Sequence, residues 1–490
     1  MKKLYDFIYN SQRRFPDKNA IIYKDKKYTF SELNNLVLSV SKGLADKAGV
    51  NPNDRVIIML PNIPEFAIFY YAVNLVGGVV VPINPTLKES EISYIISNSE
   101  PKLAVILKED FPVFYNLQKS TNFGIVIVNN EEDKPDRKIW SYKSLISTNA
   151  DIKEKYNDLA VIIYTSGTTG FPKGAMLSNY NIISNVVAVQ QVLDLLIDDV
   201  FVGALPLFHA FGQTSCMNLP FYLGCSVVFI DRFIPQHFTE SIIKNGVSLL
   251  PAVPVFYTSL LQSPLVGKIG NLRYSVSGGA PLPENIELEF EKRFDCKILQ
   301  GYGLSECSPI VSVNPPNFDK TGSVGNPLPN VEVKLVDEED RILDKGIGEI
   351  IVKGPNVMMG YWKMESPIVD GYFYTGDIGK IDEDGFLYIV DRKKELIIVG
   401  GLKVYPSEVE RMILSFGGIL ECAVIGKKDK DRGEVPIAFV VLQIDTKELL
   451  SYLRKNLAPY KVPKEIIIKE RLPKSNTGKV MKRELVKETR

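Results

Sequence analysis

The chain has 490 residues, which is too many for one compact core, so two or more domains are expected. Apolar residues make up 45% of the sequence and charged residues 24%, as is typical of globular proteins. The 58 basic and 58 acidic residues cancel, which argues against nucleic acid as a partner and against general attraction to an anionic membrane.

The first half of the chain alternates apolar runs with helical patterns, which predicts parallel sheets covered by helices. A capping-box pattern at 86–89 (TLKE) is expected to open a helix that runs to about Asn98. Another helix is predicted at 64–76. Strands are predicted at 55–60, 79–83, 103–107, 159–164, 200–205, 226–230 and 247–250.

One apolar stretch, residues 66–83 (FAIFYYAVNLVGGVVVPI), is nearly long enough to span a bilayer. Asn74 and the Gly77–Gly78 pair interrupt it, and Pro64 suits the first turn of a helix. We interpret the stretch as a buried helix, a glycine turn and a buried strand. No transmembrane segment is therefore expected, although peripheral contact with a membrane stays open.

The loop 165–174 (TSGTTGFPKG) directly follows the predicted strand at 159–164. Glycines let backbone N–H groups approach an anion, hydroxyls add donors and Lys173 supplies positive charge, so the loop is suited to phosphate. It is not a Walker A loop, because Pro172 precedes the lysine and the spacing differs.

From about residue 322 the pattern changes to short strands separated by Gly, Asp and Pro turns. This predicts a small, largely antiparallel β-rich subdomain over about 322–391. Mixed α and β elements follow from about residue 393. Five cysteines lie scattered without a CxxC pair, and the N-terminus has no apolar run of signal-peptide length, so we expect a cytoplasmic location.

Seven motifs follow one another along the chain: YTSGTTGFPKGA (164–175), LPLFHAFG (205–212), SGGAPLP (277–283), QGYGLSE (300–306), YFYTGD (372–377), DRKKELI (391–397) and PKSNTGK (473–479). In this order they resemble the motifs of the adenylate-forming superfamily, and most of all those of its medium- and long-chain fatty-acid–CoA ligases. The resemblance covers essentially the whole chain.

The resemblance implies an α/β fold with two domains. A large N-terminal AMP-binding domain (1–391) would combine layered parallel and mixed sheets, helices and the β-rich subdomain. A small mobile α+β domain (392–490) would rotate about a hinge near Lys394. In this family a carboxylate attacks the α-phosphorus of ATP, pyrophosphate leaves, and the thiol of CoA then converts the acyl-adenylate to acyl-CoA and AMP.

The resemblance also implies the roles of individual residues. Glu306, with Thr165, would hold Mg²⁺, and Lys479 would bridge the carboxylate and the α-phosphate. Ser305 stands where the family usually has threonine and keeps the hydroxyl that contacts the α-phosphate. Tyr302 would stack on adenine, and Asp377 and Arg392 would bind the ribose. The full set of expected ATP- and AMP-binding residues is Thr165, Ser166, Gly167, Thr168, Thr169, Gly170, Lys173, Gly279, Ala280, Pro281, Gln300, Gly301, Tyr302, Gly303, Ser305, Asp377 and Arg392.

Two further positions concern the second step. Gly400 and Gly401 would lie beside CoA, where glycine lets the pantetheine arm pass close to the backbone. Many relatives carry a lysine four residues after the hinge, but this chain has Ile398, to which we assign no role.

The identity of the acid depends on the acyl pocket. His209 stands where acyl-CoA synthetases carry an aromatic or histidine gate and peptide-synthetase domains carry an aspartate, which argues against an amino acid. Gly303 stands where acetyl-CoA synthetases place a tryptophan, so we expect room for a longer tail. The predicted pocket wall is His209, Val253, Gly278, Gly301 and Gly303. His237 belongs to no motif.

Three alternatives stay open. The chain could be a fatty acyl-AMP ligase that loads a carrier protein, or a CoA ligase for aryl acids of the 4-coumarate type. It could also be a nucleotide-binding protein without catalysis, although retention of Lys173, Glu306, Asp377, Arg392 and Lys479 argues against that. The expected substrates and cofactors are a carboxylic acid, ATP, Mg²⁺ and CoA, and a homodimer stays open.

Overall fold

The computed structural model describes residues 1–147, 152, 154–165, 171–263, 269–442, 446–474 and 480–489, apart from the side chains of 420 and 442. The predicted site residues Ser166, Gly167, Thr168, Thr169, Gly170 and Lys479 lie outside the described residues.

Helices are distributed along the whole chain. Those of the described residues are α1 (Asp6–Arg14), α2 (Phe30–Asp46), α3 (Pro64–Leu75), α4 (Glu89–Ser99), α5 (Phe111–Thr121), α6 (Tyr142–Leu145), α7 (Asn179–Val192), α8 (Ala210–Gln213), α9 (Leu219–Leu223), α10 (Pro235–Lys244), α11 (Pro254–Leu261), α12 (Glu284–Phe294), α13 (Pro406–Ser415), α14 (Thr446–Asn456) and α15 (Lys482–Glu488).

Strands alternate with these helices in the first 300 residues and then dominate. Those of the described residues are β1 (Asn19–Tyr23), β2 (Lys26–Thr29), β3 (Arg55–Met59), β4 (Val79–Pro82), β5 (Leu103–Ile106), β6 (Gly124–Ile127), β7 (Ile139–Ser141), β8 (Leu159–Thr165), β9 (Lys173–Ser178), β10 (Val200–Gly203), β11 (Ser226–Phe229), β12 (Leu249–Ala252), β13 (Tyr274–Ser277), β14 (Lys297–Gly303), β15 (Ile310–Val313), β16 (Asn326–Pro327), β17 (Glu332–Val336), β18 (Ile342–Leu343), β19 (Gly346–Lys353), β20 (Gly360–Tyr361), β21 (Ile368–Val369), β22 (Tyr372–Ile381), β23 (Leu387–Arg392), β24 (Ile397–Val399), β25 (Leu402–Val404), β26 (Ile419–Asp429), β27 (Gly433–Leu442) and β28 (Glu465–Ile468).

In the described part of the chain these strands form four sheets. Two large sheets are mainly parallel, in the orders β20-β9-β8-β4-β3-β5-β6-β7 and β16-β15-β14-β13-β12-β10-β11-β1-β2. The first has an antiparallel edge only at β9 and β20, whereas the second has antiparallel strands at both edges. The third is antiparallel, with β18-β17-β19-β22-β21 and β23 beside β22. The fourth, β25-β24-β27-β26 with β28 beside β27, belongs to the C-terminal part.

The first large sheet is covered on both faces, as parallel sheets require. Ile57 and Val79 face a cluster that includes Ile95 of α4 and Phe114 of α5. Val56 and Val80 point the opposite way, into the main core that α2 and α3 share. Because side chains alternate along a strand, near-continuous apolar runs are buried on both sides.

The predicted α/β architecture is confirmed, and the apolar stretch at 66–83 divides as expected into α3, a turn and β4. In the described residues no helix is long and apolar enough to cross a membrane. Gly77 in the turn has φ +76°, which explains why glycine occupies that position.

Two sequence predictions are wrong in their boundaries. Helix α4 begins at Glu89, three residues after Thr86. The capping hydrogen bond joins the backbone N–H of Lys88 to Glu91 Oε2 at 2.9 Å, so the acidic residue of the capping box is Glu91 and not Glu89. The strand predicted at 247–250 is β12, Leu249–Ala252, which is shifted by two residues. The bond from Val247 N–H to Ile242 O (3.0 Å) still belongs to the end of the preceding helix.

The β-rich segment is antiparallel as predicted, but its sheet starts at Glu332 and ends at Arg392. The short strand β16, within the predicted range, joins the second large sheet through β15. Lys394 lies in the 3₁₀ turn Lys393–Glu395 that leads from β23 to β24.

The five cysteines are free thiols; four are buried and Cys422 is partly buried. Burial raises the pKa of Cys216 and of Cys225 to about 12. The thiol of Cys307, which is buried beside Glu306, also has a raised pKa. Their separation agrees with the expectation of a chain without a disulfide framework.

Candidate active site

Strands β8 and β9 hold the two ends of the phosphate loop together. They pair antiparallel, and Thr165 and Lys173 are register partners at the end of the pair. Thr165 Oγ1 lies 3.5 Å from the carbonyl oxygen of Lys173. Thr165 and Lys173, which lie on either side of the undescribed residues 166–170, are therefore fixed next to each other.

Glu306 lies against this pair. It follows β14 in the 3₁₀ turn Ser305–Cys307, and its Oε1 accepts hydrogen bonds from Thr165 Oγ1 (3.3 Å) and from the Tyr361 hydroxyl (2.9 Å). The Lys173 Nζ atom lies 5.1 Å from the centre of the Tyr361 ring. We call Thr165, Lys173, Glu306 and Tyr361 the phosphate corner.

The phosphate corner offers hard oxygen ligands and one cation. Mg²⁺ in proteins is usually held by one or two carboxylates, with water and substrate phosphate oxygens completing the coordination. The Glu306 carboxylate and the Thr165 hydroxyl fit that pattern. In the described residues no group of three or more His, Cys, Asp or Glu side chains is arranged to hold a metal ion.

A second cluster, the ribose corner, consists of Tyr302, Asp377 and Arg392. Asp377 and Arg392 are register partners on β22 and β23, and Arg392 Nε lies 3.0 Å from Asp377 Oδ1. The Tyr302 hydroxyl donates to Asp377 Oδ2 at 2.7 Å. Burial, and then the negative charge of Asp377, raise the pKa of the Tyr302 phenol. The Asp377 carboxylate is thus oriented from both sides, as binding a vicinal diol would require.

Two further carboxylates support these corners. Glu349 on β19 accepts from the backbone N–H of Gly376 (3.1 Å) and from Lys393 Nζ (2.6 Å), which fixes the part of β22 just before Asp377. Glu287 on α12 accepts from Gln300 Nε2 at 2.9 Å, and burial raises the pKa of Glu287 to about 7. Gln300 and Gly301 lie on β14, while Gly279 (φ +79°), Ala280 and Pro281 follow β13, the neighbouring parallel strand.

A cavity of about 600 Å³ adjoins these groups. Its wall is mostly apolar and includes Phe201, Phe211, Phe233, Phe256 and Leu249. The structure brings together here all five predicted wall residues, His209, Val253, Gly278, Gly301 and Gly303, with Tyr302 and Ser305 of the QGYGLSE motif. The residues predicted for the acyl pocket and those of the QGYGLSE motif therefore line one cavity.

The reason given for Gly303 from the sequence is wrong, although the residue lines the cavity. A Cβ atom at Gly303 would lie 2.1 Å from the carbonyl oxygen of Pro309, so the missing side chain points at backbone. Gly278 fits the expected role better, since a Cβ there would lie 3.3 Å from the Phe211 ring.

Gly400 and Gly401, which are predicted to lie beside CoA, and Lys394, the predicted hinge residue, belong to the C-terminal part. Gly400 and Gly401 form the tip between β24 and β25, both with positive φ, and a Cβ at either position would meet nothing within 4 Å. The Gly400 N–H donates to Arg432 O at 2.8 Å. Lys482 is held between Glu395 (3.0 Å) and Glu410 (2.8 Å); burial lowers its pKa, but these carboxylates outweigh that effect and raise the pKa overall.

Sequence reasoning missed three residues of this site. Tyr361, which binds Glu306, lies outside the seven motifs, in MMGYWK; the only signal was an aromatic pair after a glycine. Phe211 and Phe256 line the cavity. The position of Phe211 in the motif LFHAFG is the signal in the sequence that could have identified it.

His209 provides a test of the pocket that is independent of catalysis. Burial lowers its pKa from an ordinary value of 6.5 to about 4. Between these values the unfolded chain binds a proton that the folded chain does not, so this residue makes the fold less stable as pH falls from 6.5 towards 4. We expect His209→Gln to gain stability relative to the parent over that range, measured by urea unfolding at pH 4.5, 5.5 and 7.5.

The matched control for this prediction is His237→Gln, which alters the exposed second histidine of the sequence. The unfolding free energies of the His209 variant and the parent are compared at the three pH values. A difference that stays constant across them would contradict the buried, neutral imidazole.

Comparison with known proteins places this site in a family. A model described as AMP-binding enzyme matches residues 8–362, and one described as AMP-binding enzyme C-terminal domain matches residues 408–479. A long-chain-fatty-acid–CoA ligase from Bacillus subtilis is 34% identical over an alignment of 533 residues, covering 99% of this chain and 94% of the relative. A feruloyl-CoA synthase from an Amycolatopsis species is 33% identical, covering 96% of each chain.

Solved structures agree. The crystal structure of ATP-bound MatB from Rhodopseudomonas palustris is 33% identical and superposes with a TM-score of 0.92, covering 100% of this chain and 99% of that one. The chain therefore belongs to the AMP-binding enzyme family, and it is an AMP-forming acid–thiol ligase of the adenylate-forming superfamily.

Proposed function

We propose that the chain activates a medium- or long-chain fatty acid as its adenylate and transfers the acyl group to CoA, releasing pyrophosphate and AMP. The observation that carries this proposal is the apolar cavity of about 600 Å³ that is continuous with the nucleotide-binding motif. Free, buried cysteines fit a reducing compartment, and the proposed location is the cytoplasm.

The cavity favours a long apolar tail. Burying each CH₂ group contributes about 0.8 kcal/mol, so an acid that fills the aromatic end near Phe233 and Phe256 binds more tightly than a short one. These two rings stack with centres 4.3 Å apart and make a flat apolar wall. His209 lines the same cavity as Ser305 and Tyr302 and carries no charge at neutral pH.

In the proposed first step, the residues position ATP and neutralise its charge, which is most of the catalysis in phosphoryl-centre chemistry. Bound Mg²⁺ would supply charge neutralisation at the triphosphate, and Glu306 with Thr165 would hold it. Lys173 would contact the phosphates, Asp377 and Arg392 the ribose, and Lys479 the reacting carboxylate and α-phosphate.

Two alternatives differ in substrate or acceptor. An aryl acid would also fit an aromatic cavity, and the similarity to a feruloyl-CoA synthase favours that candidate. A carrier protein could replace CoA as acceptor; the open glycine tip at Gly400–Gly401 supports the smaller CoA arm.

The experiment is an acid panel. The protein is incubated with ATP, Mg²⁺, CoA and one acid from acetate to palmitate, or 4-coumarate, and AMP and acyl-CoA are quantified. We expect AMP and acyl-CoA in equal amounts with the longer fatty acids. AMP without acyl-CoA would indicate carrier-protein loading, highest activity with coumarate would indicate an aryl acid, and ADP would contradict the reaction itself.

We further propose that residues 1–391 and 392–490 move as separate domains about Lys394. The position of Lys394 in a short turn between two sheets supports this proposal. Single hydrogen bonds cross the boundary, such as the one from Ser407 N–H to Asp391 Oδ2 (2.9 Å). A rotation could break and re-form contacts of this kind.

Asp377→Asn should weaken ATP binding at the ribose corner. The Asp377 side chain is only 10% exposed and is paired with Arg392, so the neutral amide loses charge-assisted bonds. Such bonds contribute about 1.5 to 3 kcal/mol, and we expect the KM for ATP to rise about 10-fold to 100-fold while the KM for the acid stays unchanged. The control is Asp370→Asn, an exposed turn residue with φ +52° that asparagine tolerates. Equal rises in both KM values would argue against a ribose role.

A further inference from the structure

Phe171, the residue before Pro172–Lys173 at the phosphate corner, is unusually placed for an aromatic side chain. It is 69% exposed, which is unfavourable for a large apolar ring without a partner. One face of the Phe171 ring packs on Tyr94 of α4, with ring centres 4.8 Å apart and an angle of 18° between the planes. The segment is therefore fastened to a helix outside the site.

A hydrogen bond reinforces this stack. The Tyr94 hydroxyl donates to the carbonyl oxygen of Pro172 at 3.1 Å. One side chain thus holds two successive residues, Phe171 through its ring and Pro172 through its backbone. The next residue is Lys173, whose Nζ lies over Tyr361.

The same helix holds two other parts of the corner. Asn98, one turn after Tyr94, accepts at Oδ1 from the Tyr164 hydroxyl (2.6 Å), and Tyr164 directly precedes Thr165. The carbonyl oxygen of Asn98 accepts from Trp362 Nε1 (3.0 Å), and Trp362 follows Tyr361. Helix α4 therefore contacts the neighbours of Thr165, Lys173 and Tyr361.

We propose that Tyr94, through its contact with Phe171 and Pro172, is a positioning residue for Lys173 in ATP binding. Tyr94 touches no substrate and acts by fixing the backbone from which the lysine side chain reaches the phosphate corner. This inference rests on the proposed ATP site. The stack and the hydrogen bond hold the same segment, which carries Lys173. Loss of either contact should therefore weaken the binding of ATP and leave the binding of the acid unchanged.

The test measures ATP binding without acid, by titration calorimetry with Mg²⁺, and then steady-state KM values. Tyr94→Ala removes both contacts and should raise the Kd for ATP about 5-fold to 20-fold, given the usual contributions of an aromatic pair and one hydrogen bond. Tyr94→Phe keeps the stack and should stay within about 3-fold of the parent. Phe171→Ala alters an exposed side chain, so folding is not at risk; it removes only the stack and should raise the Kd for ATP, but less than Tyr94→Ala does.

The double variant Tyr94→Ala with Phe171→Ala should bind ATP no more weakly than Tyr94→Ala alone, because Tyr94→Ala already removes the stack that Phe171→Ala would break. The matched control is Tyr115→Ala on the next helix. Tyr115 is also half-buried, stacks on Phe111 (5.3 Å, 27°) and accepts a hydrogen bond from Arg137, away from the phosphate corner.

Unchanged ATP affinity in Phe171→Ala, or additive losses in the double variant, would overturn the positioning role while leaving the proposed function intact. An equal rise in the KM values for ATP and acid would also overturn it. If the parent protein itself bound no ATP, the proposed function would fail and this inference with it.

Discussion

Replacing Glu306 by glutamine is expected to lower the rate of adenylate formation by about 100-fold to 1,000-fold. The amide oxygen can still accept from Tyr361 and Thr165, so the local structure should be preserved. What disappears is the negative charge that, in the proposed mechanism, would hold Mg²⁺ beside the triphosphate. The measurement is pyrophosphate release at saturating ATP and acid, repeated over a range of Mg²⁺ concentrations, where the variant should need more of the ion.

The control for this charge is Glu289→Gln, which removes an exposed carboxylate from α12. The acyl-adenylate already lacks pyrophosphate, so thioester formation from supplied adenylate should change little in the Glu306 variant. An unaltered Mg²⁺ dependence of Glu306→Gln would show that the metal is held elsewhere.

Lys479→Ala is expected to separate the two steps. In the proposed mechanism this lysine contacts the reacting carboxylate and α-phosphate only during adenylation, and losing one such electrostatic contact typically costs about 100-fold to 1,000-fold in rate. Thioester formation from supplied acyl-adenylate and CoA should stay close to that of the parent protein. Both half-reactions are measured on the same preparation, the first by pyrophosphate and the second by acyl-CoA.

Lys487→Ala, an exposed lysine in α15 of the same C-terminal region, provides the comparison. If Lys479→Ala slowed both half-reactions to the same degree, the domain movement about Lys394 would lose its support.

Much of the site could be predicted from the sequence because its residues lie in short ordered motifs at the ends of predictable strands. Apolar runs predict the buried strand β8, and the Gly, Ser and Thr loop after it predicts an anion site. The placement of Thr165 beside Lys173 and Glu306 follows from strand pairing that brings the ends of three segments together.

Gly303 shows what could not be predicted. Where a side chain points depends on the register between two strands, and the pairing of β14 with β15 shifts between Tyr302 and Gly303. The extra residue at this shift lies on β15, so it changes which part of the β15 backbone lies opposite Gly303. Tyr361 was missed for a related reason: its strand β20 has two residues and pairs with β9 across a separation of almost 200 positions, and periodicity gives no signal for so short an element.

The boundary of the β-rich segment illustrates the same point at larger scale. The change in composition near residue 322 is real, but composition does not tell which sheet a two-residue strand joins. Strand β16 pairs with β15 in the second large sheet, so that sheet continues past the predicted boundary.

The buried cysteines have a practical consequence for all of these assays. Thiol reagents react with the thiolate, and burial holds the pKa of Cys216 and Cys225 near 12, so very little thiolate is present at neutral pH. Free CoA, by contrast, carries an exposed thiol. A chromogenic disulfide dye should therefore report the consumption of CoA with little background from the native protein, whereas unfolding should release protein thiols and make the same dye a monitor of structural integrity.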